Sequence, residues 1–346
     1  MSYDALLLVS FGGPEGMDDV IPFLENVLRG RNVPRERMLQ VGHHYELFGG
    51  VSPINEQNRK LIKALKAEFE ANGPQLPIYW GNRNWHPLLP DTVQKMANDG
   101  IKHALAFVTS AYSSYSSCRQ YRQNITDAQA AVGSNAPQID KLRAFYNHPL
   151  WIEANVESIR MAIGNLIHSR SHSDKDSSLH LAFTAHSIPE SMANNCDYAL
   201  QLKETGRLIA ESLEIQNWQL VYQSRSGAPN QPWLGPDICE HLRELKSKGV
   251  SDVIVAPIGF VSDHMEVIYD LDIEAKRVAS EIGLNMVRAA TAGTHPAFVQ
   301  MICELILERT DCMPPRAVGT RGPGHDVCPA DCCLPMTVQT SSSNVQ

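Results

Sequence analysis

Short apolar runs alternate with amphipathic stretches along most of this chain, and this alternation restricts the fold more than any other feature. The runs are brief and bounded by Gly, Pro, Ser or Asn, as buried parallel strands are. They cover residues 5–11, 78–80, 104–108, 179–183, 219–223, 253–258 and 285–288. Helical patterns lie between them, at 53–72, 149–167, 197–213 and 237–248. Strands that alternate with helices predict an α/β architecture with parallel sheets.

A polar, Ser-rich stretch at residues 170–178 divides this pattern into two parts of similar size. The stretch has no periodicity and predicts a surface loop. Three or four strands precede it and four follow it, so we expect two doubly wound halves. Ligands in such folds bind beyond the carboxyl ends of the strands. The polar residues that follow each strand are therefore the candidates for function.

Composition and charge exclude several classes of protein. The 346 residues are 43% apolar and 20% charged, which suits a globular core. The net charge of −8 comes without a basic cluster, so nucleic-acid binding is not expected. No apolar run approaches the ~20 residues that cross a bilayer, and Asp4 stands where a signal peptide would be basic. We expect a soluble cytoplasmic protein; the sequence leaves the oligomeric state open, with a monomer as the expectation.

A histidine follows the strand LAFTA directly, in the sequence His186-Ser187-Ile188-Pro189. The carboxyl edge of a parallel sheet is a suitable place for acid–base or metal chemistry by an imidazole. A purely structural role explains a single histidine at this position equally well.

Three acids follow the strand VIVAPIGF. Glu266, Asp270 and Glu274 are spaced by four residues, which predicts one shared helical face. A solvated acidic face is the ordinary explanation of such a pattern. Because these acids come after a sheet edge, they also suit a route for a divalent cation or for protons.

Aromatic, Ser and Arg side chains cluster after three other strands, at residues 79–87, 108–121 and 221–233. Such side chains suit a flat aromatic ligand with anionic substituents, although ordinary loop chemistry would explain any one cluster. There is no P-loop, and Gly12-Gly13-Pro14 does not match a dinucleotide fingerprint.

At these residues the sequence resembles the ferrochelatase family, lyases of haem biosynthesis that insert ferrous iron into porphyrins. The matching segments are SFGGPEG, FGGVSPI, GNRNWHP, TAHSIP, YQSRSGAPNQPWLGPD and GFVSDHMEVIYDLDIE, in the family's order within residues 1–310. The resemblance implies two flavodoxin-like (Rossmann-type) halves, 1–145 and 146–293, with the porphyrin cleft between them. A C-terminal helix, 294–310, would pack back on the first half, and a Cys-rich tail, 311–346, would follow.

The resemblance also assigns roles to residues. His186 and Glu266 would bind the incoming Fe(II) and remove the pyrrole protons, and both are suitable chemically. His264, Asp270 and Glu274 would form a polar line behind them. Phe11 and His44 depart from the family, because some bacterial members have a tyrosine and an arginine at these positions.

The expected substrate is coproporphyrin III, because the charged segment 15–36 lacks the apolar, positively flanked lip of membrane-associated protoporphyrin enzymes. Protoporphyrin IX, another tetrapyrrole with cobalt, and a porphyrin carrier without turnover are the alternatives. The His186 and Glu266 pair favours catalysis, since a carrier would not need a base at the ring centre. Candidate partners of the four propionates are Arg29, Arg31, Tyr45, Ser52, Tyr115 and Tyr121.

Eight cysteines complete the sequence pattern. Cytosolic thiols stay reduced, so a disulfide framework is not expected. Cys196, Cys239 and Cys303 lie in helix-like segments and are expected to be buried and inert. The tail after Cys312 has no periodicity and would be disordered without a ligand or cross-link. Some ferrochelatases hold a 2Fe–2S cluster with one internal and three tail cysteines, and a zinc site or a ligand-free tail are the alternatives. The corresponding residues are Cys118, Cys328, Cys332 and Cys333.

Overall fold

The computed structural model describes residues 2–30, 33–169, 179–228 and 230–335, and in these residues eight strands form two separate parallel sheets. The first sheet has the order β2-β1-β3-β4 and the second has the order β6-β5-β7-β8. The strands are β1 (Ala5–Ser10), β2 (Ile78–Asn82), β3 (His103–Val108), β4 (Gln138–Lys141), β5 (Leu179–His186), β6 (Trp218–Gln223), β7 (Asp252–Ala256) and β8 (Asn285–Arg288).

Helices connect the strands of each sheet. They are α1 (Met17–Leu28), α2 (Arg35–Glu46), α3 (Ile54–Asn72), α4 (Leu89–Asn98), α5 (Gln120–Val132), α6 (Pro149–Ser169), α7 (Glu190–Ala193), α8 (Tyr198–Ser212), α9 (Ile238–Ser247), α10 (Met265–Val267), α11 (Lys276–Glu281) and α12 (Pro296–Thr310). Two further segments are π-helical, Tyr115–Arg119 (the first π segment) and Ile268–Ala275 (the second π segment).

The predicted two-part α/β fold is confirmed, and each predicted strand is present with ends shifted by a few residues. Strand β4 was missed because its sequence, QIDK, has one apolar residue and lies at the sheet edge. The loop predicted at 170–178 lies outside the described residues.

The order of the strands shows where a ligand can approach each sheet. In the first sheet the chain passes from β1 to β2 on one side and then to β3 on the other. The second sheet repeats this order around β5, with β6 and β7 on its two sides. Such a reversal opens a crevice outside the carboxyl ends of the two central strands. The expected sites therefore lie beyond β1 and β3 and beyond β5 and β7.

One apolar core runs through both sheets without interruption. Four buried aromatic rings form its centre: Phe107 of β3, Phe145, Trp151 of α6 and Phe298 of α12. Their centroids are 5.4 to 6.1 Å apart where they touch. Residues of β5 and β7 belong to the same cluster. Helix α12 also packs against α3 and α6.

The tail after α12 contacts the segment between β4 and α6 and also α8. Val318 donates its backbone N–H to the Asn147 carbonyl at 2.9 Å, and the Asn147 side chain donates to the Gly322 carbonyl at 2.7 Å. Side chains of the protein body thus bond the backbone of the tail within residues 311–335, contacts that the sequence pattern did not indicate. Residues 336–346 lie outside the described part.

No helix in the described ranges combines the length and the apolar character that crossing a membrane requires. The cytoplasmic location stays a prediction from the sequence.

A buried ion pair joins α12 to the loop after β4. Arg143 donates from Nε to one oxygen of Glu308 at 2.7 Å and from Nη2 to the other at 2.8 Å. Their side chains are 1% and 4% exposed. A buried charge that loses its partner stays desolvated and unpaired, which is costly.

We expect Glu308→Ala to lower the free energy of unfolding by about 3–5 kcal/mol, since it leaves Arg143 buried without a counter-charge. Urea unfolding measures this change. Combined replacement, Arg143→Met with Glu308→Leu, should cost less than Glu308→Ala alone. Glu281→Ala, which breaks an exposed pair with Arg277, is the control and should change stability little. A loss below about 1 kcal/mol for Glu308→Ala would contradict the role of this pair.

Candidate active site

His186 is the last residue of β5, and its neighbour in the sheet is Gln223, the last residue of β6. Residues paired in a parallel register direct their side chains to the same face of the sheet. The His186 carbonyl accepts a hydrogen bond from the Tyr198 hydroxyl at 3.0 Å, and its Nδ1 bonds the Ser187 carbonyl. The strand thus presents the Nε2 atom of His186 beyond the sheet edge.

Glu266 reaches His186 from the loop that follows β7. Gly259 permits this loop to pack on β5, because a Cβ at Gly259 would lie 2.5 Å from the Cβ of Ala185. Helix α10 then begins after His264, whose Nδ1 accepts the Glu266 backbone N–H at 3.2 Å. The distance from His186 Nε2 to Glu266 Oε1 is 3.4 Å. The carboxyl ends of two neighbouring strands therefore deliver an imidazole and a carboxylate to one point.

Gln223 fixes the position of Glu266 from the sheet. Its side-chain Nε2 donates to the Glu266 carbonyl at 2.7 Å, and Gln223 is 1% exposed. Its Oε1 has no hydrogen-bond partner among the described residues. Sequence reasoning missed this residue, although its place at the end of the strand beside His186 is a usable signal.

His186 and Glu266 stabilise each other's charged forms. Burial would lower the pKa of His186, but the Glu266 carboxylate and the Ser187 carbonyl together raise it to about 9. Burial would raise the pKa of Glu266, but His186 and then His264 lower it to about 2. Both shifts favour an imidazolium beside a carboxylate at neutral pH.

The second π segment carries Asp270 and Glu274. A spacing of four residues suits an α-helix, yet α10 ends at Val267 and the wider π-helix follows. Burial, with Glu266 and Glu274, raises the pKa of Asp270 to about 7, although the Ser224 hydroxyl donates a hydrogen bond to its Oδ2. Burial, and then Asp237, raises the pKa of Glu274. The segment is π-helical and not α-helical as predicted. The role of these acids as a polar line stays a prediction.

Ser224 was also missed by sequence reasoning. It directly follows β6 and has a φ of +61°, in the left-handed region that side chains rarely adopt. Its hydrogen bond to Asp270 ties the end of the sheet to the second π segment.

The first half supplies an aromatic wall beside this centre. The rings of Phe11, Phe23 and Tyr45 meet edge to face, and Tyr45 packs in one cluster with Met265 of α10. Burial, with the Glu266 carboxylate, raises the pKa of Tyr45 well above its usual range. His44 stacks on Tyr269 of the second π segment, with centroids 3.8 Å apart. These contacts join α1 and α2 to the catalytic side of the molecule.

The other predicted porphyrin contacts are dispersed. Ser52 is buried at 4% exposure, and Tyr121 is buried on α5 with the Arg83 guanidinium 4.7 Å from its ring. Tyr115 donates to Gln123 at 3.1 Å, and Arg29 is exposed and donates to Asn26 at 2.5 Å. Arg31 lies outside the described residues.

Apolar side chains do occur near the start of α1, where the sequence suggested a charged segment. Met17, Leu47 and Val51 are 48%, 65% and 43% exposed. Val51 bridges to Glu15, and Gly50 packs against the backbone of Met17. The absence of an apolar lip is therefore a weaker argument for the substrate than the sequence suggested.

The family model described as Ferrochelatase matches residues 3–310. The chain belongs to the ferrochelatase family. The ferrochelatase of Rhodopirellula baltica is 55% identical, covering 96% of this chain and 93% of the relative. The coproporphyrin III ferrochelatase of Streptomyces coelicolor is 50% identical with the same coverage. Membership confirms the sequence interpretation: this is a metal chelatase of the lyase class.

The fold alone is shared with a more distant solved structure. The sirohydrochlorin chelatase SirB of Bacillus subtilis subspecies spizizenii, in complex with cobalt, superposes with a TM-score of 0.52 at 10% identity. The superposition covers 90% of this ferrochelatase-family chain and 96% of SirB. The ferrochelatase family model ends at residue 310. The similarity to the Rhodopirellula baltica ferrochelatase covers 96% of this chain, so it extends into the tail.

The four cysteines singled out in the sequence come together as two pairs. Cys118 of the first π segment is buried and hydrogen bonds with the Cys328 thiol, while the Sγ atoms of Cys332 and Cys333 are 3.5 Å apart. The hydrogen bond from Cys328, with Lys141 and Arg122 nearby, lowers the pKa of Cys118 to about 5. Cys333 interacts electrostatically with Cys118, and Cys328 with Cys332.

These thiols match the ligands of an iron–sulfur cluster in chemistry and number. As placed, however, no group of three or more His, Cys, Asp or Glu side chains within the described residues is arranged to hold a single metal ion. Cys312 is exposed. Cys303 is buried as predicted, whereas Cys196 and Cys239 are only partly buried. Burial raises the pKa of Cys239 and of Cys303 to about 12, which makes both thiols less reactive.

We expect the His186 imidazole to stay protonated up to about pH 9 in this ferrochelatase-family protein, because Glu266 stabilises its charge. Glu266→Gln removes that charge and leaves the burial, so the pKa should fall well below 9. Histidine-labelled NMR across a pH titration measures both values.

Glu274→Gln is the matched control, since Glu274 makes no contact with His186 and should leave its titration near pH 9. A His186 resonance that titrates near pH 6.5 in the unaltered protein would show that the ion pair does not form.

Proposed function

We propose that this chain inserts Fe(II) into coproporphyrin III and releases Fe-coproporphyrin. Two observations support the proposal. Relatives from Streptomyces and Nocardia, at 48 to 50% identity over nearly the whole chain, are coproporphyrin III ferrochelatases. The contact of His186 with Glu266, at 3.4 Å, brings together an imidazole and a carboxylate, two groups suited to binding Fe(II). A carrier would not need this pair.

In the proposed mechanism, His186 and Glu266 receive the iron and the pyrrole protons. A free porphyrin loses two N–H protons as one Fe(II) enters, so both must leave through the protein or the solvent. Fe(II) beside His186 disfavours the imidazolium charge, so the imidazolium proton passes to solvent and the imidazole and the Glu266 carboxylate can hold the metal. As the iron passes into the ring, each of these two groups becomes free to accept one of the two pyrrole protons.

We propose that the polar line carries protons away from this centre. His264 stays neutral because burial lowers its pKa. Asp270, with a pKa of about 7, can both bind and release a proton near neutral pH. Glu274 lies further along the same segment, and the raised pKa of its carboxyl suits the same exchange.

The proposed porphyrin contacts differ in how exposed their side chains are. Phe11 and His44 lie beside the catalytic centre and suit the ring plane, while Arg29, as an exposed cation, suits a propionate. Ser52 and Tyr45 are buried in the same half, so they suit contacts from within the wall of the cleft. Tyr115, Tyr121 and Arg31 are proposed on the family resemblance alone.

We propose the division of the chain into 1–145, 146–293, 294–310 and 311–346. The two sheets, each complete within one of the first two segments, support it. Helix α12 packs on α3, which supports the return of the third segment to the first half.

We expect faster Fe(II) insertion into coproporphyrin III than into protoporphyrin IX in an anaerobic assay at equal porphyrin solubility. His186→Ala and Glu266→Ala should each nearly abolish insertion into either porphyrin while circular dichroism shows an intact fold. His168→Ala and Glu281→Ala, exposed residues of the same types, are the matched controls.

A clear preference for protoporphyrin IX would contradict the substrate. Near-normal turnover in either folded catalytic variant would contradict the assigned roles. Tight binding of porphyrin without turnover in the unaltered protein would favour a carrier instead.

We also propose that Cys118, Cys328, Cys332 and Cys333 bind a 2Fe–2S cluster. Their convergence from the protein body and the tail supports the proposal, as does the thiolate character that the lowered pKa gives Cys118. When bound, such a cluster would supply one-electron redox chemistry and a covalent link between the tail and the first π segment. Zinc bound by the same thiols is the competing occupant.

Purification under anaerobic conditions should give a brown protein with about two irons per chain, as four thiolate ligands imply. Serine at Cys118, Cys328, Cys332 or Cys333 should bleach it, and Cys312→Ser, at an exposed cysteine of the same tail, should not. Visible absorbance and metal analysis measure this. A colourless protein, or one with stoichiometric zinc, would count against the cluster and leave the chelatase activity untouched.

A further inference from the structure

Several contacts between the tail and the protein body are made by backbone carbonyl groups of the tail. Arg143 Nη2 donates to the Arg316 carbonyl at 2.9 Å, and Asn147 Nδ2 donates to the Val318 carbonyl at 3.3 Å and to the Gly322 carbonyl at 2.7 Å. Both donors belong to the segment between β4 and α6. None of these bonds involves a thiol, so this part of the tail is placed without a metal.

A further donor to the tail, Arg119, is next to Cys118 in the chain. Arg119 Nη1 donates to the Ala330 carbonyl and to the Cys332 carbonyl, each at 2.8 Å. Hydrogen bonds from a guanidinium are stronger than those between neutral groups. Residues 328–333 are here called the thiol loop. The Arg119 side chain thus binds the thiol loop at two carbonyl groups and holds the loop beside Cys118.

The thiol loop also has a defined internal structure. The Cys332 N–H bonds the Pro329 carbonyl at 3.1 Å, which closes a turn. Cys333 has a φ of +54° and is 3% exposed. A residue other than glycine keeps a left-handed backbone conformation only where the surrounding structure holds it there.

We propose that Arg119 is a positioning residue that folds the thiol loop against Cys118 before any metal arrives. The functional meaning of this inference rests on the proposed cluster, whereas the folding of the loop does not. A preorganised loop loses less conformational entropy on binding than a free one. The opposite case is a metal site that forms only as the metal folds it.

The test measures the accessibility of individual thiols in the metal-free protein. The full chain is prepared with chelator and reductant, pulsed anaerobically with iodoacetamide, and analysed by peptide mass spectrometry. Each rate is divided by the rate of the same cysteine in urea, which removes intrinsic differences in reactivity. Cys312 is the internal reference, because it is exposed in the same tail.

We expect Cys333 to react at least tenfold more slowly than Cys312 in the metal-free protein. Arg119→Gln should raise the Cys333 rate to within threefold of Cys312. Arg119→Lys, which keeps a cation with a less suitable geometry, should give an intermediate rate. Arg160→Gln, the same substitution at an exposed arginine of α6, should leave Cys333 protected.

Cys303, buried in α12, reports whether the protein body stays folded. If Cys303 becomes reactive in Arg119→Gln, the comparison of Arg119→Lys with the unaltered protein decides instead. Rapid reaction of Cys333 in the unaltered metal-free protein overturns the inference, as does full protection in a folded Arg119→Gln variant.

The colour of the protein separates this inference from the cluster proposal. A colourless protein with Cys333 protected would contradict the cluster proposal and support the prefolded loop. A brown protein whose Cys333 becomes reactive once the metal is removed would support the cluster proposal and contradict the prefolded loop.

Discussion

The contact between His186 and Glu266 is the interaction on which the rest of the site depends. Two charged groups at the rim of a sheet are stable together because each offsets the desolvation of the other. The structure builds this pair from three directions. The register of β5 with β6 places His186 beside Gln223, Gln223 binds the Glu266 backbone, and Gly259 lets the loop after β7 approach. Each member of the pair favours the charged form of the other.

Much of this arrangement could be predicted from the sequence, because buried strands show as apolar runs and functional residues follow them. His186 was found in this way. The second π segment could not be found, since a spacing of four residues fits an α-helix as well as a π-helix. Ser224 was missed because a left-handed φ in a non-glycine residue has no signature in composition. That Tyr121 lies on the buried face of α5, with Ile125 and Ala128, could not be read from its place after a strand.

The tail shows a different limit of sequence reasoning. Its side chains have no apolar periodicity, so the pattern indicates a segment that cannot build a core. The tail is held instead through its carbonyl groups, and every residue carries one of these whatever its side chain. The donors, Arg119, Arg143 and Asn147, are far away in the sequence. Only the three-dimensional structure can show that such donors lie along the path of the tail.

The continuous aromatic core also determines how the molecule can deform. Phe107, Phe145, Trp151 and Phe298 lock the two sheets together through α6 and α12. Rotating one sheet away from the other would expose these rings to water, at a cost of about 2 kcal/mol or more for each large side chain. The contacts of α1 and α2 with the second π segment are fewer, and the stacked pair of His44 and Tyr269 is among them. A relative rotation of the two sheets is therefore opposed by the aromatic core, whereas a small movement of α1 and α2 against the second π segment breaks fewer contacts.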